Sequence, residues 1–381
     1  MRNRIFLILK NIDSAYKICN NIVTGNVTGI VPRIKTQFIA RFKMRHKKSS
    51  ATIQDVAREA GVSVSTVSRV LNGKVDVASE TVEKVQGVIE ELGYASSLAA
   101  RGMRSSRTNV IGMILPDVSA LYCIEVMRGV NRAIAQLNYD LIIYTTGDIR
   151  KYGTADQERR YVTLLNGGIT DGVIVVTPAA TDFSTNAPVV AIDPNNESPD
   201  CAAIIATNRA GSLTAMNYLT GLGHRRIGFI TGRLDLISAN QRLQGYKDGL
   251  AACGIIPDEQ LIQVGDYTTE AALECTRRLL ALDNPPTAIF ASNDMSAIGV
   301  YKAAQEKGMR IPQDLSVIGF DNIRESSLLI PALTTIDQFI ADMGFTAIEM
   351  IVKLVNGTSL EKKLVIVPTQ LVVRNSCSSF I

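Results

Sequence analysis

GVSVSTVSRVLNG (Gly61–Gly73) places small and hydroxyl-bearing side chains where a helix built only for packing would carry Leu, Ile or Met. Ser63 is a helix N-cap, and Asn72-Gly73 is a stop signal. Val67, Val70 and Leu71 fall on one face and predict the inner side of the helix. Val64, Ser65, Ser68 and Arg69 are left as an outward strip.

The flanks explain that strip. Upstream, TIQDVAREA predicts a helix over Ile53–Ala60, capped by Thr52, with Asp55 near its positive end. Ile53, Val56, Ala57 and Ala60 share a face, and Gly61 permits a turn that a Cβ would resist. Downstream, Val82, Val85, Ile89 and Leu92 predict a third helix from about Ser79 to Leu92, stopped by Gly93. Two helices across so short a turn, with Ala57 small enough for a close crossing, form a helix-turn-helix. The second helix keeps its outer face slim because it must fit inside a DNA major groove. Arg69 is then the candidate for a bidentate contact to guanine, and Ser65 and Ser68 bond base edges or phosphates. Val64 meets a thymine methyl. A three-helix domain used for protein contacts is the alternative.

YASSLAARGMRSSR (94–107) follows, small, polar and basic, with Leu98, Ala99, Ala100 and Met103 able to line one face. From Thr108 apolar runs alternate with amphipathic helices. The runs are VIGMILP (110–116), DLIIYTT (140–146), DGVIVVTP (171–178), PVVAID (188–193), RRIGFITG (225–232), TAIFASND (287–294) and DLSVIGFDN (314–322). Such runs predict buried parallel strands, and about nine βα units divide naturally into two doubly wound subdomains. A ligand cleft then lies at the carboxyl ends of the strands. Asp193, Asn293, Asp294 and Asp321 end strands there, as hydroxyl-binding groups of a sugar or polyol site or as plain turn formers. Arg242, on the helix after RRIGFITG, is the cleft's cation or a surface ion pair. His224, ahead of a strand, reads as structural.

The totals fit this plan. The chain has 381 residues, 46% hydrophobic and 20% charged, and no apolar run near the ~20 residues of a membrane span. Ile5–Leu9 is too short for a secretory core, so a cytoplasmic location is expected. Six scattered cysteines without a CxxC pair and two histidines, His46 and His224, predict neither a disulfide frame nor a metal site. No glycine-rich loop fits a nucleotide fingerprint, and no cofactor is expected. Residues 1–50 hold 11 Lys/Arg against one acid, Asp13, while the remainder holds 29 basic and 35 acidic residues. That basic extension is an arm for a polyanion, a solvated tail, or a segment ahead of a start at Met44.

From Thr52 to Arg374 the chain resembles the lactose-repressor (LacI/GalR) family of bacterial transcription regulators. The motifs are TIQDVAREAGVSVSTVSRVLNG, EELGY, LGHRRIGFITG, SNDMSAIGVY, RIPQDLSVIGFDN and PALTTIDQ, in that order. The resemblance implies an α/β protein with a helix-turn-helix head (51–94), a hinge helix (95–107) and a periplasmic-binding-protein-like body (108–381). In that body one subdomain takes about 108–206 and 340–366, and the other about 207–339 and 367–381. It implies a homodimer on a near-palindromic operator, with DNA affinity set allosterically by a small sugar-like effector. By position, Val64, Ser65, Ser68, Arg69 and Asn72 face the groove, and Ala100, Met103 and Arg104 make the hinge contacts. Tyr122, Asp193, Arg242, Tyr267, Asn293 and Asp321 form the effector shell.

Four departures stand out. Met103 replaces the usual Leu wedge, Ser96-Ser97 the usual Pro-Asn, Cys123 the second ring of an aromatic pair, and Thr207 a usual Asp. The lost ring favours a smaller or more polar effector over a stacked purine. A transport-type sugar-binding protein is disfavoured by the head. An enzyme is disfavoured because no nucleophile–base constellation is present.

Overall fold

A computed structural model describes residues 51–71, 76–94, 107–147 and 153–380. The chain separates into two compact units, Met1–Ser97 and Leu98–Ile381.

The first unit contains helices α1 (Ile53–Ala60), α2 (Val64–Leu71) and α3 (Ser79–Leu92). A capping box starts α1: the Asp55 amide donates to Thr52 Oγ1 at 3.3 Å, and Asp55 Oδ2 accepts from the Thr52 amide at 2.9 Å. Gly61 ends α1 in the left-handed region, at φ +63°. Ile53, Val56, Ala57 and Ala60 of α1 pack with Val67 and Val70 of α2 and Val85 of α3. Two positions differ from the sequence reading. Leu71 and Leu92, expected on inner faces, are 38% and 37% exposed. Each is the last residue of its helix.

The second unit holds two six-stranded sheets. The first lobe is built from β1 (Val110–Leu115), β2 (Asp140–Thr145), β3 (Gly172–Val176), β4 (Val189–Ile192), β5 (Ala202–Ala206) and β11 (Leu364–Val367). Their order is β11-β5-β4-β3-β1-β2, all parallel. The second lobe uses β6 (Ile227–Ile230), β7 (Ile262–Gln263), β8 (Ala288–Ala291), β9 (Ser316–Asp321), β10 (Thr334–Asp337) and β12 (Gln370–Val372). Its order is β12-β10-β9-β8-β6-β7, parallel except for the antiparallel edge pair β10–β12. Strands β1, β3, β4, β6, β8 and β9 are buried throughout, because helices cover both faces.

The helices are α4 (Leu121–Leu137), α5 (Thr154–Asn166), α6 (Asn208–Gly221), α7 (Ile237–Ala252), α8 (Thr269–Leu279), α9 (Asp294–Glu306) and α10 (Ile340–Val355). Two apolar clusters flank each sheet, one centred on α4 and α10 in the first lobe. Five strands (β5, β7, β10, β11, β12) and α10 are not among the elements predicted from periodicity. β7, β11 and β12 are short edge strands, and β10 carries two buried threonines in place of an apolar run.

The chain passes between the lobes three times: at Thr207 between β5 and α6, at Gln338-Phe339 between β10 and α10, and at Pro368-Thr369 between β11 and β12. Both lobes are therefore discontinuous in sequence.

Candidate functional site

In the head, Val64, Ser65 and Arg69 are exposed on α2 and Ser68 is half-buried, as an outward strip requires. Ser63 caps α2, accepting from the Thr66 amide at 3.1 Å, and its hydroxyl lies 2.6 Å from that of Ser65. Arg69 is ion-paired with Asp76, both side chains being about half exposed. Asn72, Ala100, Met103 and Arg104 lie outside the described residues.

In the body, the candidate cleft residues sit just past the carboxyl ends of parallel strands. Tyr122 lies in the first turn of α4 after β1, Asp193 follows β4, Tyr267 follows β7, Asn293 follows β8, and Asp321 ends β9. Arg242 reaches them from α7. Charge interactions couple Tyr122 and Asp193 of the first lobe to Arg242, Tyr267 and Asp321 of the second. Backbone strain concentrates at the same points: Asp193, Tyr267, Asp321 and Asn322 have φ of +51°, +72°, +114° and +55°. Left-handed, non-glycine residues of this kind gather where a site over-determines the backbone.

Arg242 is 4% exposed. Its Nε donates to Asn208 Oδ1 at 2.8 Å, and its Nη1 donates to the Ser292 carbonyl at 2.6 Å and to Asp321 Oδ1 at 3.3 Å. Its guanidinium lies 3.8 Å from the Phe320 ring centroid and 5.8 Å from that of Tyr267. Arg242 is thus a buried ion-pair member, not a surface one. Tyr267 lies flat over Gly232, where any Cβ would come within 2.0 Å of its Cζ. The last glycine of RRIGFITG is there to admit this ring.

Burial sets the electrostatics. It pushes the Asp321 carboxyl up to about 6, against the stabilising pull of Arg242 and of Gln338, which donates to it at 2.6 Å. Burial also raises Asp193, with Arg242 and Ser238 opposing. Burial works against the Arg242 charge, yet Tyr267, Asp321, Asp193 and Tyr122 together hold it above its ordinary value. The Tyr122 hydroxyl, raised well above its ordinary range by burial, has no hydrogen-bond partner.

Asn293 is committed within the protein: its Oδ1 caps α9 through the Ser296 amide at 2.8 Å, and its Nδ2 donates to the Tyr267 carbonyl at 3.2 Å. Asp294, expected to face the cleft, instead turns inward and is fully buried. It accepts from Thr335 Oγ1 at 2.5 Å and the Ile323 amide at 3.0 Å, because as the first residue of α9 its side chain folds back over β9 and β10. Cys123 packs into the apolar cluster of the first lobe. His224 is 2% exposed and bonded to Thr287, Ser316 and the Ser378 carbonyl, a structural role. Asn208, Ser238, Phe320 and Gln338 were not singled out by the sequence reading; Gln338 closes the PALTTIDQ motif and Phe320 lies within DLSVIGFDN. Among the described residues no cluster of metal-ligating side chains occurs, and no helix is long and apolar enough to cross a membrane.

A helix-turn-helix head joined to a two-lobed α/β body with a polar cleft defines a class of ligand-binding transcription regulators. The chain belongs to the lacI family of bacterial regulatory proteins, whose model matches residues 52–97, while a periplasmic binding protein-like domain matches 216–377. It is 33% identical over 337 residues to catabolite control protein A of Priestia megaterium, covering 86% of this chain and 99% of that protein. It is 34% identical over 333 residues to the transcriptional repressor PurR of Vibrio atlanticus (strain LGP32), covering 86% and 98%. Among solved structures, a lac repressor dimer bound to operator and the anti-inducer ONPF superposes with a TM-score of 0.77 at 28% identity, over 87% of this chain and all of that one. A CelR–cellobiose complex superposes at 0.63 and 27% identity, over 86% of this chain and 99% of that one. The family is one of transcription regulators, not enzymes.

Proposed function

We propose that this protein is a cytoplasmic, homodimeric repressor of carbohydrate-use genes, released or engaged by a small sugar-like effector bound between the two lobes. The observation that carries the reading is the buried polar group at the lobe junction. Asp193 and Asp321 offer acceptor oxygens to ligand hydroxyls, Arg242 is fixed as their counter-charge, and the unpartnered Tyr122 hydroxyl calls for a bond that the protein does not supply. The rings of Tyr122 and Tyr267 suit the apolar C–H face of a sugar. Two carboxylates against one guanidinium favour a neutral polyol over an anion. At the head, Val64, Ser65, Ser68, Arg69 and Asn72 read the major groove, and Ala100, Met103 and Arg104 contact the minor groove at the operator centre.

The test is a fluorescence-anisotropy titration of the full chain against a palindromic duplex selected from a random pool, with and without mono- and disaccharides including D-ribose, D-glucose and cellobiose. Specific affinity in the ~10⁻⁸–10⁻¹¹ M range, steeply salt-dependent, is expected. At least one sugar should shift it by about 5–150-fold. Equal affinity for a scrambled duplex overturns the DNA reading. Indifference to every sugar in the panel overturns the effector reading.

A further inference from the structure

The Asp321–Arg242 pair is bonded outward, at both ends, to the segments that join the lobes. Gln338, 2% exposed and midway along the second crossover, donates its Nε2 to Asp321 Oδ1 at 2.6 Å. At the other end Arg242 Nε donates to Oδ1 of Asn208, 3% exposed and the first residue after the first crossover. The neighbouring Thr207 carries the connection to the third crossover. Its hydroxyl lies 2.9 Å from that of Thr369 and accepts from the Thr369 amide at 2.9 Å. Thr207 also donates its own amide to the Val367 carbonyl at 3.1 Å. A second tie runs beside the first: Asn322 Nδ2 donates to Asp337 Oδ2 at 2.9 Å, while Asp337 Oδ1 accepts from the Phe339 amide at 2.7 Å. Buried polar contacts therefore link the floor of the cleft to the second crossover and to Asn208, and partly buried ones at the adjoining Thr207 continue to the third.

We propose that Gln338 and Asn208 are positioning residues that make Asp321 and Arg242 a clasp across the three crossovers, so that whatever draws on the Asp321 carboxylate also resets the angle between the lobes. The inference deepens the effector reading above and rests on it for the identity of what draws on Asp321. A ligand hydroxyl competing for Asp321 Oδ1 weakens the Gln338 bond. The Arg242 guanidinium then re-centres, and Asn208 moves with it. Shared hydrogen-bonded groups respond together in this way because each polarises and orients the next.

Hydrogen exchange of the ligand-free full chain, read by mass spectrometry, tests the clasp without any effector. Gln338→Met removes the donor at nearly constant volume. The Thr207, Gly211 and Thr369 amides, none of them on the substituted segment, should exchange at least about tenfold faster, as one lost charge-assisted bond predicts. Gln338→Glu alone places two carboxylates together and should loosen the same amides further. Combined with Asp321→Asn, which restores a donor–acceptor pair of reversed polarity, it should return them toward wild-type rates. Unchanged rates at Thr207 and Thr369 in Gln338→Met overturn the proposal, as does a double variant no better than Gln338→Glu. If Gln338→Met does not fold, Gln338→Asn, which keeps the amide but shortens it, is read at the same amides. A response to these substitutions together with indifference to every sugar would support the clasp and overturn the effector reading.

Discussion

Replacing Arg242 with methionine should cost stability in a manner that depends on pH. The substitution leaves two acceptors, Asn208 Oδ1 and the Ser292 carbonyl, without the Arg242 donor, and leaves Asp321 Oδ1 with Gln338 but without its counter-charge. Asp321 titrates at about 6 beside its cation and is held ionised largely by it. Without Arg242, the largest influence holding it down, the buried carboxyl should keep its proton to higher pH. A carboxyl whose folded value is raised contributes stability at low pH and loses it as pH rises through that value. In the wild type this loss stops growing above about pH 6; in the variant it continues. At about 1.4 kcal/mol per pH unit, the difference reaches about 2 kcal/mol at about pH 7.5. The two orphaned acceptors and the lost stacking on Phe320 add about 1–3 kcal/mol at any pH. The total of about 3–5 kcal/mol is what breaking a buried pair costs. Urea unfolding followed by circular dichroism is the assay, since the chain has no tryptophan. At about pH 5, where Asp321 is protonated in both proteins, the penalty should shrink to about 1–3 kcal/mol. An equal penalty at both pH values would refute the assignment of Asp321 as the group that Arg242 keeps charged.

Three further outcomes are expected. Gly232→Ala drives a methyl into the Tyr267 ring, so sugar binding by calorimetry should be lost while the unfolding free energy falls by only the about 1–3 kcal/mol of overpacking; retained binding would mean that Tyr267 does not line the site. Thr52→Ala removes the α1 cap and should cost about 1 kcal/mol of head stability, seen as faster hydrogen exchange in α1 with the body unchanged. Arg69→Ala should relax preference at one base position by about 1–3 kcal/mol in a competition series of operator variants, whereas a uniform loss would make it a phosphate contact.

The sequence carries most of the framework, for identifiable reasons. The head is legible because caps, turn and core of three short helices are all local: Thr52 with Asp55, the left-handed Gly61, and valines at helical spacing. Strands β1, β3, β4, β6, β8 and β9 are legible because burial on both faces favours near-continuous apolar runs. The short edge strands β7, β11 and β12, and β10 with its two threonines, are not, since two to four residues carry no period. Within the cleft, strand-end polar residues are visible as a set, but their orientations are not. Asp294 and Asn293 stand side by side in the sequence, yet one carboxylate folds inward to Thr335 while its neighbour caps a helix and holds the Tyr267 loop. Gln338 and Asn208 escaped notice because their roles depend on residues 17 and 34 positions away, a contact that only the fold creates.

The late return of the chain to both sheets has a consequence for synthesis on the ribosome. β11 completes the first lobe and β12 the second, and both lie within the final twenty residues. The operator-reading head, near the opposite end, emerges and can fold while either lobe still lacks an edge. Nascent chains thus hold a finished reader well before they hold a finished sensor, and a premature stop before Leu364 would deprive both lobes at once.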